Sequence, residues 1–338
     1  MALIEPGSIA IVASANRATR NSDVEFRFRQ DSDFFYLTGF RESESVFVLV
    51  PGREHGEAIL FCRERDPLDE QWYGDITGPE RAMQLYGLDD AFPIADMDDI
   101  LPGLIEGKNK LYYTMGRDRE FDNRVIGWVK GISGNRQTGT RPPGEYVQLS
   151  QYLHELRLFK TREELEVMRY GAEISSAAHR RLMRVVKPGM KEFQLQAEFQ
   201  HEIAMAGARS EAYPSIVGGG KNGCILHYVA NDDSLRAGDL VLVDAGAEYE
   251  YYASDVTRTF PVNGRFTEVQ KTLYSIVLQA QLAAIEMVMP GNHWNQPHEA
   301  AVRVITAGLV ELGLLTGDVD ALIGDEAFKR FYMHRTGH

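Results

Sequence analysis

The sequence predicts an α/β protein of two domains: a first half built on a mixed sheet with flanking helices, and a second half in which two related helical units surround short strands. Three observations carry this reading. The chain has 338 residues, long for one domain. Residues 1–150 alternate short β-rich runs with helical segments. The second half repeats the order long helix, Pro-Gly, helix.

In the first half, "SIAIVAS", "SVFVLVPG", "EAILFCR" and "KLYYTM" read as strands, and "PERAMQLYGL" and "FDNRVIGWVKGI" as helices. Residues 134–145, "GNRQTGTRPPGE", are rich in Gly, Pro and polar residues and read as the linker. The predicted domains are therefore 1–150 and 151–338. Just beyond, "FKTREELEVMRYGAEISSAAHRRLMRVV" opens a long amphipathic helix, with Thr161 and Glu164 as its capping box. That helix ends at Pro188-Gly189, and "EFQLQAEFQHEIAMAG" follows. A second long helix ends at Pro290-Gly291, and "HEAAVRVITAGLVELG" follows. The two units suggest halves related by a pseudo-two-fold. After the first, the chain makes strands and runs to Gly264; after the second it reaches His338 over a shorter stretch, so the second half is expected to be incomplete. The Met and Leu stripes of the long helices are expected to pack in the core.

Composition narrows the function. Apolar content of 44% and charged content of 25% suit a soluble globular protein with sizeable cores. A net charge of −13 with no basic stripe argues against a nucleic-acid partner. Cys62 and Cys224 lack any CxxC companion, which speaks against a disulfide framework or a thiolate zinc site. The N-terminus has no signal-peptide pattern and no apolar run is long enough to span a membrane, so no membrane partner and a cytoplasmic location are expected.

The chemistry concentrates in "LVLVDAGAEYEYYASDVTRTFPV", residues 240–262, which reads as a hairpin with an aspartate on each strand. Asp244 and Asp255 are centred between Tyr249 and Glu250, so in a regular hairpin they face each other directly. Like charges at that spacing repel; if partly buried, one should bind a proton or both should bind a cation. Hard divalent metals prefer such oxygen donors. Two other arrangements fit the same residues: a solvated hairpin with exposed acids, or a bulge that turns them apart. His227 precedes the hairpin in "NGCILHYVAN", and His334 and His338 stand four apart in "MHRTGH". The glycine between them argues against a helix there, so at most one ligand is expected from that pair. His55, His154, His179, His201, His293 and His298 have no such setting and are read as solvated or structural.

"GGGKNGCILHY", the hairpin with its extension "NGRFT", and "FYMHRTGH" resemble the Xaa-Pro aminopeptidase (aminopeptidase P) branch of the pita-bread metallopeptidases. "FRFRQDSDFFYLTGFRES" and "LRLFKTREELEVMR" extend the resemblance over nearly the whole chain. It implies an N-terminal aminopeptidase-P-like domain, a C-terminal pita-bread domain, and removal of the first residue from peptides with proline second. It also implies two divalent ions, usually manganese, held by two Asp, one His and two Glu. Matched residue by residue, Asp244, Asp255 (bridging) and His338 are metal ligands, and His227 and His334 are catalytic histidines lining the substrate pocket. Trp72, in "DEQWYG", helps shape the substrate site. A peptide substrate and a homo-oligomer joined through the first domain are further implications. The family's two glutamates follow the ligand histidine, in a stretch this sequence does not contain, so the chain is expected to be truncated and unable to hold a competent dinuclear site. The alternatives are a prolidase, which cuts only Xaa-Pro dipeptides, and a metal-free binding module of the same fold.

Overall fold

The structure is a computed structural model that describes residues 4–134, 139 and 141–337. The chain forms two compact units, Met1–Leu165 and Glu166–His338.

The strands of the first unit are β1 (Ser8–Ala13), β2 (Thr19–Asn21), β3 (Val24–Glu25), β4 (Val46–Leu49), β5 (Ala58–Cys62), β6 (Asp90–Pro93), β7 (Lys110–Tyr113) and β8 (Glu145–Gln148). Its helices are α1 (Ser32–Thr38), α2 (Pro67–Tyr73), α3 (Gly78–Tyr86), α4 (Met97–Ile105), α5 (Arg119–Gly134) and α6 (Leu149–Leu158). Six strands form one sheet in the order β6-β5-β4-β1-β7-β8. The sheet is mixed: β1 runs antiparallel to β4 and parallel to β7. Because side chains alternate across a strand, one run feeds two cores. Ile9 and Ile11 face α4 and α5 through Leu101, Ile105, Val125 and Trp128. Ala10 and Val12 face the opposite cluster of Phe34, Phe40, Ala82 and Leu153. Helices cover both faces, as a sheet buried on both sides requires. The segment read as a linker lies elsewhere than expected. Residues 135–138 and 140 are outside the described residues, but the segment joins α5 to β8, and β8 pairs with β7 of the same sheet. The segment therefore falls within the first unit rather than at its boundary.

The second unit contains α7 (Arg162–Val185, beginning just before the division), α8 (Glu192–Met205), β9 (Ser210–Glu211), β10 (Ile216–Gly219), β11 (Leu240–Asp244), β12 (Ala247–Tyr249), β13 (Tyr252–Ala253), β14 (Thr257–Pro261), α9 (Glu268–Glu286), α10 (Gln296–Glu311) and α11 (Val319–Gly324). The α7 capping box forms: Glu164 N–H donates to Thr161 Oγ1 at 3.2 Å, and Thr161 N–H to Glu164 Oε2 at 2.7 Å. The two Pro-Gly segments join α7 to α8 and α9 to α10. Sheets β10-β11-β14 and β13-β12-β9 pack on α7 and α8 through Ile174, Leu182, Phe199, Val217 and Val243.

The long-helix stripes are only partly core. In α9, Leu273, Leu278 and Leu282 are exposed, as are Leu165, Met168 and Met183 of α7. The seam between α9 and α10 is made instead by Ala280, Ala284 and Ala301. Small residues permit close helix approach and turn the larger aliphatics away from the seam.

The hairpin register also differs from expectation. Tyr249 pairs with Tyr252, so the turn is Glu250-Tyr251, and both residues have positive φ (47° and 67°). Two left-handed residues match the two-residue turn that suits a twisted hairpin. The centre therefore lies one residue later than the midpoint of the aspartates. Asp244 pairs with Thr257, and Asp255 falls opposite Gly246. The acids are diagonal neighbours on one face.

Gly246 permits this close crossing, because a Cβ there would lie 1.6 Å from the Ser254 carbonyl oxygen. Gly246→Ala is expected to destabilise the fold by about 2–3 kcal/mol, the upper range for overpacking. Urea unfolding would read the loss; a change below about 0.5 kcal/mol, the scale of ordinary surface substitutions, would contradict the stated packing.

Candidate metal centre

Asp244 ends β11, half-buried, and Asp255 lies exposed in the irregular stretch before β14. Tyr213 joins them, from the connection between β9 and β10. Its hydroxyl lies 2.5 Å from Asp244 Oδ1 and 2.9 Å from Asp255 Oδ1. A phenol has one proton to donate, so it satisfies one carboxylate at a time. Burial pushes the Tyr213 pKa well up, and the hydrogen bonds and charges of Asp244 and Asp255 push it further. The hydroxyl thus stays protonated, as a donor facing two acceptors. Sequence reasoning missed Tyr213, because it lies outside the hairpin and no spacing rule ties it to the acids.

Two carboxylates reaching one point fit the hard-oxygen donors of a divalent cation. Among the described residues, no group of three or more His, Cys, Asp or Glu is positioned to hold a metal. His338, the third expected ligand, lies outside the described residues.

His227 is exposed in a turn that follows a short 3₁₀ segment, Gly220–Cys224. The loop around it is held from below by Glu192, the first residue of α8, which is fully buried. Glu192 Oε1 accepts from Gly219 N–H at 2.8 Å and from Asn222 Nδ2 at 3.2 Å; Oε2 accepts from the Tyr228 hydroxyl at 2.8 Å and from Asp233 N–H at 3.0 Å. Burial and then the bond to Glu192 push the Tyr228 phenol up to about 12. Asn231, also buried, ties the far end of the loop to β10 through Val217 N–H (2.9 Å) and the Ser215 carbonyl (2.8 Å).

His334 sits at an exposed bend, with Nδ1 2.8 Å from the Arg335 carbonyl. It lines a hollow of about 760 Å³ with His298, Tyr332 and Arg335, and neither aspartate is among the lining residues. Trp72 lies in α2 of the first unit, 83% exposed beside exposed Leu68 and Tyr73. Of the expected site residues, then, the structure brings together Asp244 and Asp255. It does not gather His227 or His334 with them into one cluster among the described residues.

His179, read from the sequence as solvated or structural, is structural, and its bond reaches the backbone beside Asp244. It is buried in α7, and its Nε2 lies 2.9 Å from the carbonyl of Ala245, the residue after Asp244. A carbonyl only accepts, so Nε2 carries the proton. Burial holds this imidazole below the usual histidine range, against the opposing effect of the Ala245 carbonyl.

Residues 166–338 match the model of metallopeptidase family M24, and residues 1–112 match that of the aminopeptidase P N-terminal domain. The chain is 41% identical over 337 residues to the Xaa-Pro aminopeptidase of Escherichia coli K12, covering 99% of this chain and 76% of that protein. It resembles the solved structure of the Pseudomonas aeruginosa aminopeptidase PepP with a TM-score of 0.98 and 55% identity, over 100% of this chain and 76% of that one. A zinc-substituted E. coli aminopeptidase P with bound product gives a TM-score of 0.96 at 40% identity, over 98% of this chain and 76% of that one. No helix among the described residues is long and apolar enough to cross a membrane.

Proposed function

The chain belongs to metallopeptidase family M24, on its Xaa-Pro aminopeptidase branch, and from that premise we propose that it uses Asp244 and Asp255 to hold divalent cations for removal of the first residue from peptides with proline second. The observation that carries the site assignment is the convergence of the two carboxylates on the Tyr213 hydroxyl. The family's divalent metals are assigned here as two ions, manganese by preference, with His338 as a third protein ligand. When bound, divalent cations supply Lewis-acid polarisation of a carbonyl and a water acidified toward neutral pH.

The chain's own residues do the rest. Asp244 and Asp255 supply oxygen donors, and Tyr213 keeps a proton between them that orients whichever carboxylate accepts it. His227, on a loop fixed by Glu192, and His334 are assigned to donate hydrogen bonds to the oxyanion that develops at the scissile carbonyl. The bond nitrogen of proline carries no hydrogen, so selection of proline rests on pocket shape.

The test compares Xaa-Pro-Xaa tripeptides with Xaa-Pro dipeptides after chelation and re-addition of Mn²⁺. It uses the 338-residue chain and a chimaera extended with the part of the E. coli relative left outside the match. Family resemblance asks for five donors and this sequence offers three, so the chimaera is expected to release the first residue of tripeptides far faster than the chain alone. Turnover confined to dipeptides would replace this reading with a prolidase. Turnover indifferent to Mn²⁺ would remove the metal from it.

A further inference from the structure

We propose that Ser175 and His179, on the buried face of α7, are positioning residues that fix Asp244 and Asp255 relative to each other through the backbone between them. The inference rests on the assignment of those aspartates as cation ligands. Regular pairing in the hairpin stops after Asp244–Thr257 and resumes at Glu248–Ala253. Across the gap two strand-to-strand bonds persist, Ala245 N–H to the Val256 carbonyl (3.1 Å) and Ser254 N–H to the Ala247 carbonyl (3.0 Å).

Two further backbone groups in the gap turn to α7. The Ala245 carbonyl accepts from His179 Nε2, and Ala247 N–H donates to Ser175 Oγ at 2.9 Å. Ser175 Oγ is also 2.7 Å from Ser254 Oγ, which donates to the Ala247 carbonyl at 2.9 Å. Ser175 and His179 stand four apart, so both project from one face of the helix. Their contacts fall on the residue directly after Asp244 and the residue directly before Asp255. The helix thus grips both strands of the crossing, within the stretch that joins the two acids.

The chemistry of these positions supports a dedicated role. Ser175 and His179 are 0% and 2% exposed, beside the aliphatic Ile174 and Leu182, with Phe199 edge-on to the imidazole at 5.6 Å. Apolar residues would cost less there, since His179 Nδ1 has no hydrogen-bond partner among the described groups. What an apolar residue cannot do is donate to the Ala245 carbonyl, which would otherwise be orphaned in a buried gap, or share with Ser254 Oγ (3.1 Å) the acceptance of Ala247 N–H. The bonds of both side chains run to backbone groups and to Ser254, so both act through the backbone.

The experiment uses the full chain with His179→Leu, His179→Gln and Ser175→Ala. It reads amide exchange across residues 243–257, Mn²⁺ affinity by calorimetry, and global stability in urea. For His179→Leu, exchange in that segment is expected to quicken about 10-fold relative to β10 and α8, as a local opening does. Mn²⁺ affinity should fall about 10–100-fold, the scale for groups that support metal ligands. The glutamine amide N–H can reach the same carbonyl and should restore most of both. Ser175→Ala, a smaller change, should give the same pattern in weaker form and guards against simple misfolding of the leucine variant. Unchanged exchange, an equal loss across the whole unit, or no rescue by glutamine would overturn the proposal. Should the parent chain take up no Mn²⁺, affinity is read on the chimaera, where no uptake would overturn the ligand assignment, whereas the exchange comparison still decides whether α7 holds the crossing.

Discussion

Asp255→Asn is expected to abolish Mn²⁺ binding while raising the stability of the metal-free chain. The amide keeps an oxygen that can accept from Tyr213 and removes one of two like charges gathered around that hydroxyl. Affinity should fall by more than about 100-fold, beyond the range seen when only supporting groups are changed. Without metal, relief of repulsion between a half-buried and an exposed carboxylate is worth about 0.5–1 kcal/mol at the high effective dielectric of a surface. Calorimetric titration with Mn²⁺ and urea unfolding in chelator read the two effects. The opposite signs matter, because a residue that serves only the fold would lose stability when changed. Parent-like Mn²⁺ affinity in the variant would end the assignment of Asp255 as a ligand.

Glu192→Ala should destabilise the second unit by about 3–5 kcal/mol. A fully buried carboxylate here accepts from four neutral donors, and truncation leaves Gly219 N–H, Asn222, the Tyr228 hydroxyl and Asp233 N–H to find new partners. Each unsatisfied buried group costs about 1–3 kcal/mol, with part recovered by entering water or by local rearrangement. Glu192→Gln should fall between, because its oxygen still accepts while its NH₂ meets donors. Unfolding in urea gives the magnitudes, and amide exchange over residues 219–233 shows where the loss lies. A loss under about 1 kcal/mol for the alanine variant would mean that the loop carrying His227 is held by something else.

Much of the architecture was legible in the sequence. β1, β4, β5, β7, α3 and α5 lie where periodicity put them, and the Thr161–Glu164 box opens α7 as its spacing said. The helix–Pro-Gly–helix units are present in both places. Three readings needed correction, each where a local signal was silent about its tertiary use. Gly and Pro in residues 134–145 mark a loop but do not say whether it joins two domains or two elements of one sheet. Aliphatic periodicity in α9 marks an amphipathic helix, while the small residues at the α9–α10 seam decide which face is covered. The hairpin centre, finally, is set by the two residues that adopt left-handed backbone, Glu250 and Tyr251, and not by symmetry between the acids.

The sequence alone determined what is short-ranged: strand and helix periods, caps, the Pro-Gly stops, and two aspartates flanking one turn. These follow from backbone sterics and side-chain alternation over a few residues. Tertiary structure decided what is long-ranged. It set the diagonal register of Asp244 and Asp255, brought the Tyr213 hydroxyl between them, and laid His179 and Ser175 against the backbone that joins them. Those meetings depend on how α7 and the β9–β10 connection pack on the sheets, and a buried polar group declares its partner only once packing has excluded water from both.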